Sequence, residues 1–103
     1  MNDNHKDFLA ILGYIYLQHG LFQKSLIIFK TMQLFFPNDA HAIKSLSYAY
    51  LMLNEYQNAL TEIDKLNEHD KPALLIKSKA LWGLGNVDES RIVLQTYLDM
   101  RKS

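Results

Sequence analysis

Four histidines are the side chains of this 103-residue chain best suited to metal binding, and their spacing does not favour a metal site. The intervals between successive histidines are 14, 22 and 28, so no two lie four apart as in helical zinc sites. Cysteine is absent, which excludes a thiolate site and a disulfide. We expect no metal and interpret these residues as surface or capping side chains: His5, His19, His41 and His69.

The carboxylates and glycines give no catalytic pattern either. Glu62 with Asp64, and Asp88 with Glu89, are typical of solvated helix faces and helix starts, where a negative charge interacts favourably with the helix dipole. The glycines fall at predicted helix ends or packing positions and form no phosphate-binding loop. We therefore expect neither an enzyme nor a cofactor.

Charge is balanced along the chain, because eleven lysine and arginine residues offset eleven aspartate and glutamate residues. This removes the usual electrostatic footprint of nucleic-acid or anionic-membrane binding. Residues 1–7 are polar and mixed in charge, unlike a signal peptide, and no apolar run approaches the roughly 20 residues that span a bilayer. With nearly half of its residues hydrophobic, the chain is expected to form one soluble cytosolic domain.

Two helices joined by a tight turn are predicted for residues 12–25. Gly20 is the expected helix end, since glycine accepts the left-handed backbone that closes a helix. The other marker residues are small or aromatic, and together with Phe29 and Pro37 they match the tetratricopeptide pattern, whose period is 34: Gly13, Tyr16, Phe22 and Ser25.

The same markers recur further along the chain. A step of 34 leads from Tyr16 to Tyr50, Gly20 to Asn54, Phe22 to Tyr56, Ser25 to Ala59 and Phe29 to Ile63. A second step, of 31, leads from Asn54, Tyr56, Ala59 and Ile63 to Gly85, Val87, Ser90 and Leu94. The shorter step predicts that the second repeat has lost about one helical turn, at the end of its second helix. Because Ser25 and Ser90 fill the small-residue position, they need no role as nucleophiles.

These patterns predict an all-α fold of six helices, roughly 6–19, 22–35, 40–53, 56–66, 72–84 and 87–101. We expect three stacked tetratricopeptide helix-turn-helix repeats, about 6–39, 40–70 and 71–103, in one domain that forms a short right-handed superhelix with a concave groove. The strongest break is at 67–72, and either Asp70 or Lys71 begins the fifth helix. The first helix is apolar on nearly all sides, so we expect both of its faces to be covered.

In this register the first helix of each repeat lines the groove. The expected groove is aromatic and aliphatic with two lysines, which favours an apolar peptide or helix as its ligand: Ala10, Tyr14, Leu17, Lys44, Tyr48, Leu51, Met52, Leu75, Lys79 and Trp82. An aromatic stripe at helical spacing is equally typical of a core. Six helices cannot bury all of these positions, however, so we expect an open patch that marks a partner site.

The last helix has more apolar residues than one face can hold. Val87, Leu94 and Leu98 are expected to face the preceding repeat. Four others would then form an exposed apolar face, although terminal repeats usually need a polar outer side: Ile92, Val93, Tyr97 and Met100. Either a second copy of the chain or a different protein is expected to cover them.

Between about Phe8 and Asp99 the sequence resembles the SctY (YscY) family, small cytosolic tetratricopeptide chaperones of bacterial type III secretion. The resemblance is carried by Asp7-Phe8-Leu9 before Leu12-Gly13, by Leu17-Gln18 before Gly20, and by Gln95-Thr96-Tyr97-Leu98-Asp99. It implies an adaptor in the bacterial cytoplasm that holds an exported SctX-like partner through the groove and the exposed end. The pair would engage the cytosolic domain of the export gate, with the bound segment laid helically into the groove.

The alternatives to this function are a chaperone of the needle subunit of the same system and a generic tetratricopeptide protein-interaction or self-associating module. A chaperone of the needle subunit is the nearest, whereas translocator chaperones carry an extra N-terminal helix that this sequence is not expected to form. A carboxylate clamp for an acidic C-terminus needs lysine and asparagine on the first groove helix, where Ala10 and Tyr14 stand. A self-associating module, in which the sixth helices pair with each other, is the alternative from a different class.

Overall fold

Helices make up nearly all of the chain that the computed structural model describes, residues 3–66 and 70–102. These residues contain no strand, so the all-α prediction is confirmed. The six helices of this part of the chain are α1 Asp3–Gln18, α2 Phe22–Phe35, α3 Ala40–Met52, α4 Tyr56–Ile63, α5 Lys71–Gly83 and α6 Val87–Lys102. Within the same residues, none of the helices has the length and apolar character needed to cross a membrane.

Most helix ends fall within two residues of their predicted places, and α2 matches at both ends. The start of α1 at Asp3, before the predicted Lys6, is one difference. The other is α4, which ends at Ile63. The residues after it form hydrogen bonds that span three residues instead of four, such as the bond from the Leu66 N–H to the Ile63 carbonyl, and this tighter turn ends the α-helix. α4 has 8 residues against 14 in α2 and is therefore the shorter of the two helices. Residues 67–69 of the expected break, with His69, lie outside the described residues.

Each connection between an odd helix and the next even helix is closed by one residue with positive φ. Gly20, Asn54 and Gly85 have φ of 72°, 61° and 84°. Next to each of them, a backbone N–H bonds to the carbonyl five residues earlier, with N to O distances of 2.8, 2.9 and 2.9 Å. This is the hydrogen bond of a Schellman motif, which glycine and asparagine permit at low cost. The expectation for Gly20 and Asn54 is confirmed.

Small residues let the two helices of a pair approach closely. The Ser25 hydroxyl of α2 donates to the Gly13 carbonyl of α1 at 3.2 Å. A Cβ at Gly13 would lie 2.6 Å from the Phe29 ring, so that ring fits only because the glycine has no side chain. In the third pair the Ser90 hydroxyl donates to the Ser78 carbonyl at 2.8 Å, and the two partners are again twelve apart in the chain. The Gly13 and Ser78 carbonyls are therefore equivalent acceptors, each bonded to a serine hydroxyl of the facing helix.

The core is centred on α3, which packs against the four helices nearest to it in the chain. Its central cluster joins side chains from four helices: Leu26, Phe29, Met32, Ala42, Leu46, Ala49, Tyr50, Leu51, Ala59 and Ala80. Among the described residues, α6 packs only on α5, and α1 packs only on α2 and α3. Both end helices consequently keep one side uncovered.

A tryptophan at Ala59 tests the close packing of α3 and α4. Ala59 has no exposed surface, so the larger side chain must displace the neighbouring helix. We expect Ala59→Trp to destabilise the chain by about 3 kcal/mol, which lowers Tm by more than about 10 °C in thermal unfolding followed by circular dichroism. The control Asn58→Trp changes the exposed neighbouring position and should leave Tm nearly unchanged. Equal melting of the two variants would contradict this packing.

Candidate partner-binding surface

The sides of α1, α3 and α5 that no even helix covers form a surface that we call the odd-helix face. Five of the ten predicted groove residues are exposed on it: Tyr14, Tyr48, Met52, Lys79 and Trp82. Four are half-buried: Ala10, Leu17, Lys44 and Leu75. The face is largely apolar, as expected from the sequence, and Trp82 is its most open aromatic side chain, with 61% of its surface exposed.

Leu51 is a correction to the predicted groove. Only 8% of this side chain is exposed, and it belongs to the central core cluster together with Ala80 of α5. The physical reason is that α5 packs against α3 and covers this position. Leu51 therefore supports the odd-helix face from beneath and is not available to a ligand.

Two ion pairs tie the odd helices to one another along this face. Lys6 of α1 pairs with Asp39, and Lys44 of α3 pairs with Asp70 at 3.1 Å. Asp39 and Asp70 are also the N-caps of α3 and α5. The Asp39 carboxylate accepts a hydrogen bond from the Ala42 N–H at 2.9 Å, and the Asp70 carboxylate accepts one from the Ala73 N–H at 3.0 Å. Lys44 is thus partly neutralised, and it is not a free cation for a ligand.

The two capping carboxylates are held in their charged form. Partial burial alone would raise the pKa of Asp39, but its hydrogen bonds with Lys6 and with the Ala42 N–H outweigh this effect and leave the pKa below its usual value. Burial likewise opposes ionisation of Asp70, and its bonds with the Ala73 N–H and Lys44 again lower the pKa overall. Both aspartates therefore stabilise the fold as anions.

An apolar groove of about 280 Å³ opens between α5 and α6 at the end of the odd-helix face. We call it the α5–α6 groove, and its lining is Leu75, Ser78, Lys79, Trp82, Ser90 and Leu94. The hydroxyls of Ser78 and Ser90 bond to each other's backbone carbonyls, so the groove offers a ligand little beyond aliphatic and aromatic surface. Lys79 supplies its one charge.

Two features of this end of the molecule were not predicted from the sequence. Ser78 was not singled out, although one step of 34 and one of 31 lead to it from Gly13. That spacing was the signal for a second small-residue position, on the first helix of each pair. Leu94 and Leu98 were expected to face the preceding repeat, whereas each is 37% exposed and Leu94 lines the groove. The physical reason is that no seventh helix follows α6 among the described residues to cover them.

The apolar face of α6 also differs from the expectation. Ile92 is exposed at 67%. Val93, Tyr97 and Met100 are half-buried, because they follow Ser90 at helical spacing and share its side of the helix, which packs on α5. The outer side of α6 is consequently mostly polar around Ile92.

The free side of α1, unlike the outer side of α6, is apolar. Phe8 and Ile11 are 64% and 60% exposed, and Ile15 is exposed beside them, although the sequence predicted a helix covered on both faces. Gly13 faces α2, because a Cβ at this position would meet the Phe29 ring, so the packed side of α1 is the other one. The apolar character of this side has no packing partner within the part of the chain that is described.

Nothing among the described residues suggests a metal site. His5, His19 and His41 are exposed, and residues 3–66 and 70–102 contain no group of three or more acidic or imidazole side chains that could hold a metal ion. His69 lies outside the residues that are described. The chemistry that this surface offers is therefore apolar contact with a few charges.

The sequence has no match among protein-family models, and none of the curated proteins compared with it matches either. The odd-helix face and the α5–α6 groove are the features of this chain that bear on its function.

The lowered pKa values of the capping aspartates predict acid sensitivity. A carboxylate whose pKa falls on folding contributes stability above the ordinary pKa of about 4, and this stability is lost as pH drops through the lower, folded value. We expect Tm to fall between about pH 5 and pH 3. The double variant Asp39→Asn with Asp70→Asn keeps capping side chains but loses both ion pairs, so it should be less stable at pH 7 and less sensitive to acid. An unchanged pH profile would contradict the assignment.

Proposed function

We propose that this chain is a small adaptor that binds a helical segment of another protein along its odd-helix face. The observation that carries the proposal is the exposure of Tyr48, Met52 and Trp82 together on the odd-helix face, at 37%, 42% and 61% of their surfaces. An apolar patch of this kind costs solubility unless a partner covers it. A helix with an apolar side is the ligand that such a groove accepts best.

The proposed architecture is a tetratricopeptide array of three repeats, with a right-handed superhelical curve that makes the odd-helix face concave. Its support is the recurrence of the same turn in all three pairs, at the steps of 34 and 31, and of the same serine-to-carbonyl bond in the first and third pairs. In such arrays the first helices of the repeats line the ligand groove. Tyr14 and Tyr48 stand at equivalent positions in this register.

The proposed partner is an exported component of a bacterial type III secretion system, similar to SctX, held in the cytoplasm and presented to the export gate. The resemblance of residues 8–99 to the SctY family supports this choice. The balanced charge and apolar face favour it over nucleic-acid binding, since they provide surface for a peptide and no basic patch. In this role the chain is a binding protein and not an enzyme.

Affinity capture tests the identity of the partner. The tagged chain is expressed in bacteria that carry it naturally, and the proteins that co-purify are identified by mass spectrometry. We expect one small secretion protein in stoichiometric amount. Capture of an unrelated set of proteins would contradict the secretion role, and a chain that purifies alone and stays monomeric would contradict the adaptor role as well.

Alanine substitutions test the face itself. Tyr48→Ala and Trp82→Ala remove groove aromatics, so each should weaken binding of the captured partner at least about tenfold, because buried aromatics dominate such interfaces. Circular dichroism should show an unchanged helical signal. The control Leu34→Ala removes a side chain that is 81% exposed on α2, away from the face, and should bind normally. Loss of helical structure in either aromatic variant would place that residue in the core and contradict the assignment.

A further inference from the structure

The α5–α6 groove corresponds by position to two surfaces that are covered inside the protein. Moving back by the step of 31 from Leu94 gives Ile63, and the further step of 34 gives Phe29. Ile63 and Phe29 are fully buried, at 3% and 0% exposure, whereas Leu94 is open. Trp82 is likewise open, although its equivalent Leu51 is buried. The first two surfaces are closed by the odd helix that follows them, α3 and α5 respectively.

The helices that close these two surfaces do so with small side chains. α3 brings Ala42 and Ala49, and α5 brings Ala73 and Ala80, which are the same positions in the register of 31. All four are buried. Residues seven apart lie on one side of a helix, so each arriving helix turns two alanines toward the preceding pair. A close approach of helix to helix is the result.

Each arriving helix also begins with an aspartate that meets a lysine of the odd helix before it. Asp39 pairs with Lys6, and Asp70 pairs with Lys44. Lys71 stands at the position of Lys6 in the third pair, and Lys79 lines the groove itself. No carboxylate within residues 3–66 or 70–102 forms an ion pair with either lysine. The edge of the α5–α6 groove is therefore positive where the internal surfaces are neutralised.

We infer that the α5–α6 groove is the seat of one helix of the bound partner, which packs there as α3 and α5 pack on the pairs before them. This helix begins with an aspartate near Lys71 and turns two small residues, seven positions apart, toward Trp82 and Leu94. The inference rests on the proposed function and adds to it the chemistry of the partner segment. The inference is based on two observations. The groove corresponds to the two internal interfaces that α3 and α5 cover, and its edge is positively charged.

A second copy of the chain fits the groove less well. Its α1 would be the equivalent arriving helix, but Phe8 and Ile15 stand there in place of Ala42 and Ala49. The groove is itself bulkier than the internal surfaces, because Trp82 replaces Leu17 and Leu51. The large side chains of α1 would meet the large side chain of Trp82, which would hold the two helices apart and leave voids. Such a contact would also be heterologous and would build rings or open chains of copies.

A peptide copy of α3 tests the inference directly. A synthetic peptide of residues 39–53 carries Asp39, Ala42 and Ala49 and contains no tryptophan, so the single tryptophan of the protein, Trp82, reports binding. Titration of the full chain should shift its emission to shorter wavelength and saturate at one peptide per chain. The control peptide with Ala42→Phe and Ala49→Phe should bind at least about tenfold more weakly. Absence of a shift, or equal binding of both peptides, would overturn the inference.

Variants of the chain locate the binding. Leu94→Glu places a charge in the groove and should abolish the shift, whereas the matched control Ile92→Glu, on the outer side of the same helix, should leave it intact. Circular dichroism confirms folding of both. Should Leu94→Glu fail to fold, Lys71→Glu provides the test, with binding weakened about threefold by loss of an exposed ion pair. Equal effects of Leu94→Glu and Ile92→Glu would overturn the assignment of the groove.

The captured partner separates this inference from the proposed function. A Leu94→Glu chain that binds the partner at full affinity overturns the groove assignment and leaves the adaptor role standing. A chain that binds the α3 peptide but captures no secretion protein supports the groove and contradicts the proposed function. Sedimentation of the chain alone measures self-association. If the chain self-associates and Leu94→Glu abolishes this, a second copy occupies the groove, and the inference of a partner helix there is overturned.

Discussion

The close approach of the two helices in each pair is the constraint on which the rest of this structure depends. Gly13 leaves room for the Phe29 ring, and the paired serines of the third crossing satisfy each other's hydroxyls and carbonyls. Larger side chains at these points would hold the helices apart and open the core between them. One side of each odd helix packs against the even helix of the same pair. Its other side can be covered only by a neighbouring pair.

That second side explains where the apolar surface remains. α3 has neighbours before and after it, and it is the most buried helix of the described chain. α1 and α5 each have one odd helix beside them, so Phe8 at one end and Trp82 at the other stay open. The ion pairs at Asp39 and Asp70 fix the starts of α3 and α5 and form a polar edge of the odd-helix face.

The sequence predicts the helices well, because local chemistry decides their ends. Gly20 and Asn54 adopt positive φ, as short-range rules anticipate. The sequence leaves open whether Asp70 or Lys71 begins α5, and the structure shows Asp70 as its N-cap, bonded to the N–H of Ala73. The candidate site was predicted less completely. Periodicity shows which residues share a face but not which face meets a neighbour, so it does not reveal that Leu51 is covered by α5 or that Leu94 lines a groove. Their positions depend on how α5 rotates against α3 and α6, which is a property of the packed core.

Acrylamide quenching of Trp82 tests the central claim, that the odd-helix face is open in the isolated chain and covered in the complex. The account predicts that the emission of the free chain is readily quenched, since the indole is mostly exposed. It also predicts strong protection from the quencher after the chain is purified together with its partner. A tryptophan that is already protected in the isolated chain, or one that is equally accessible in both samples, would contradict the account.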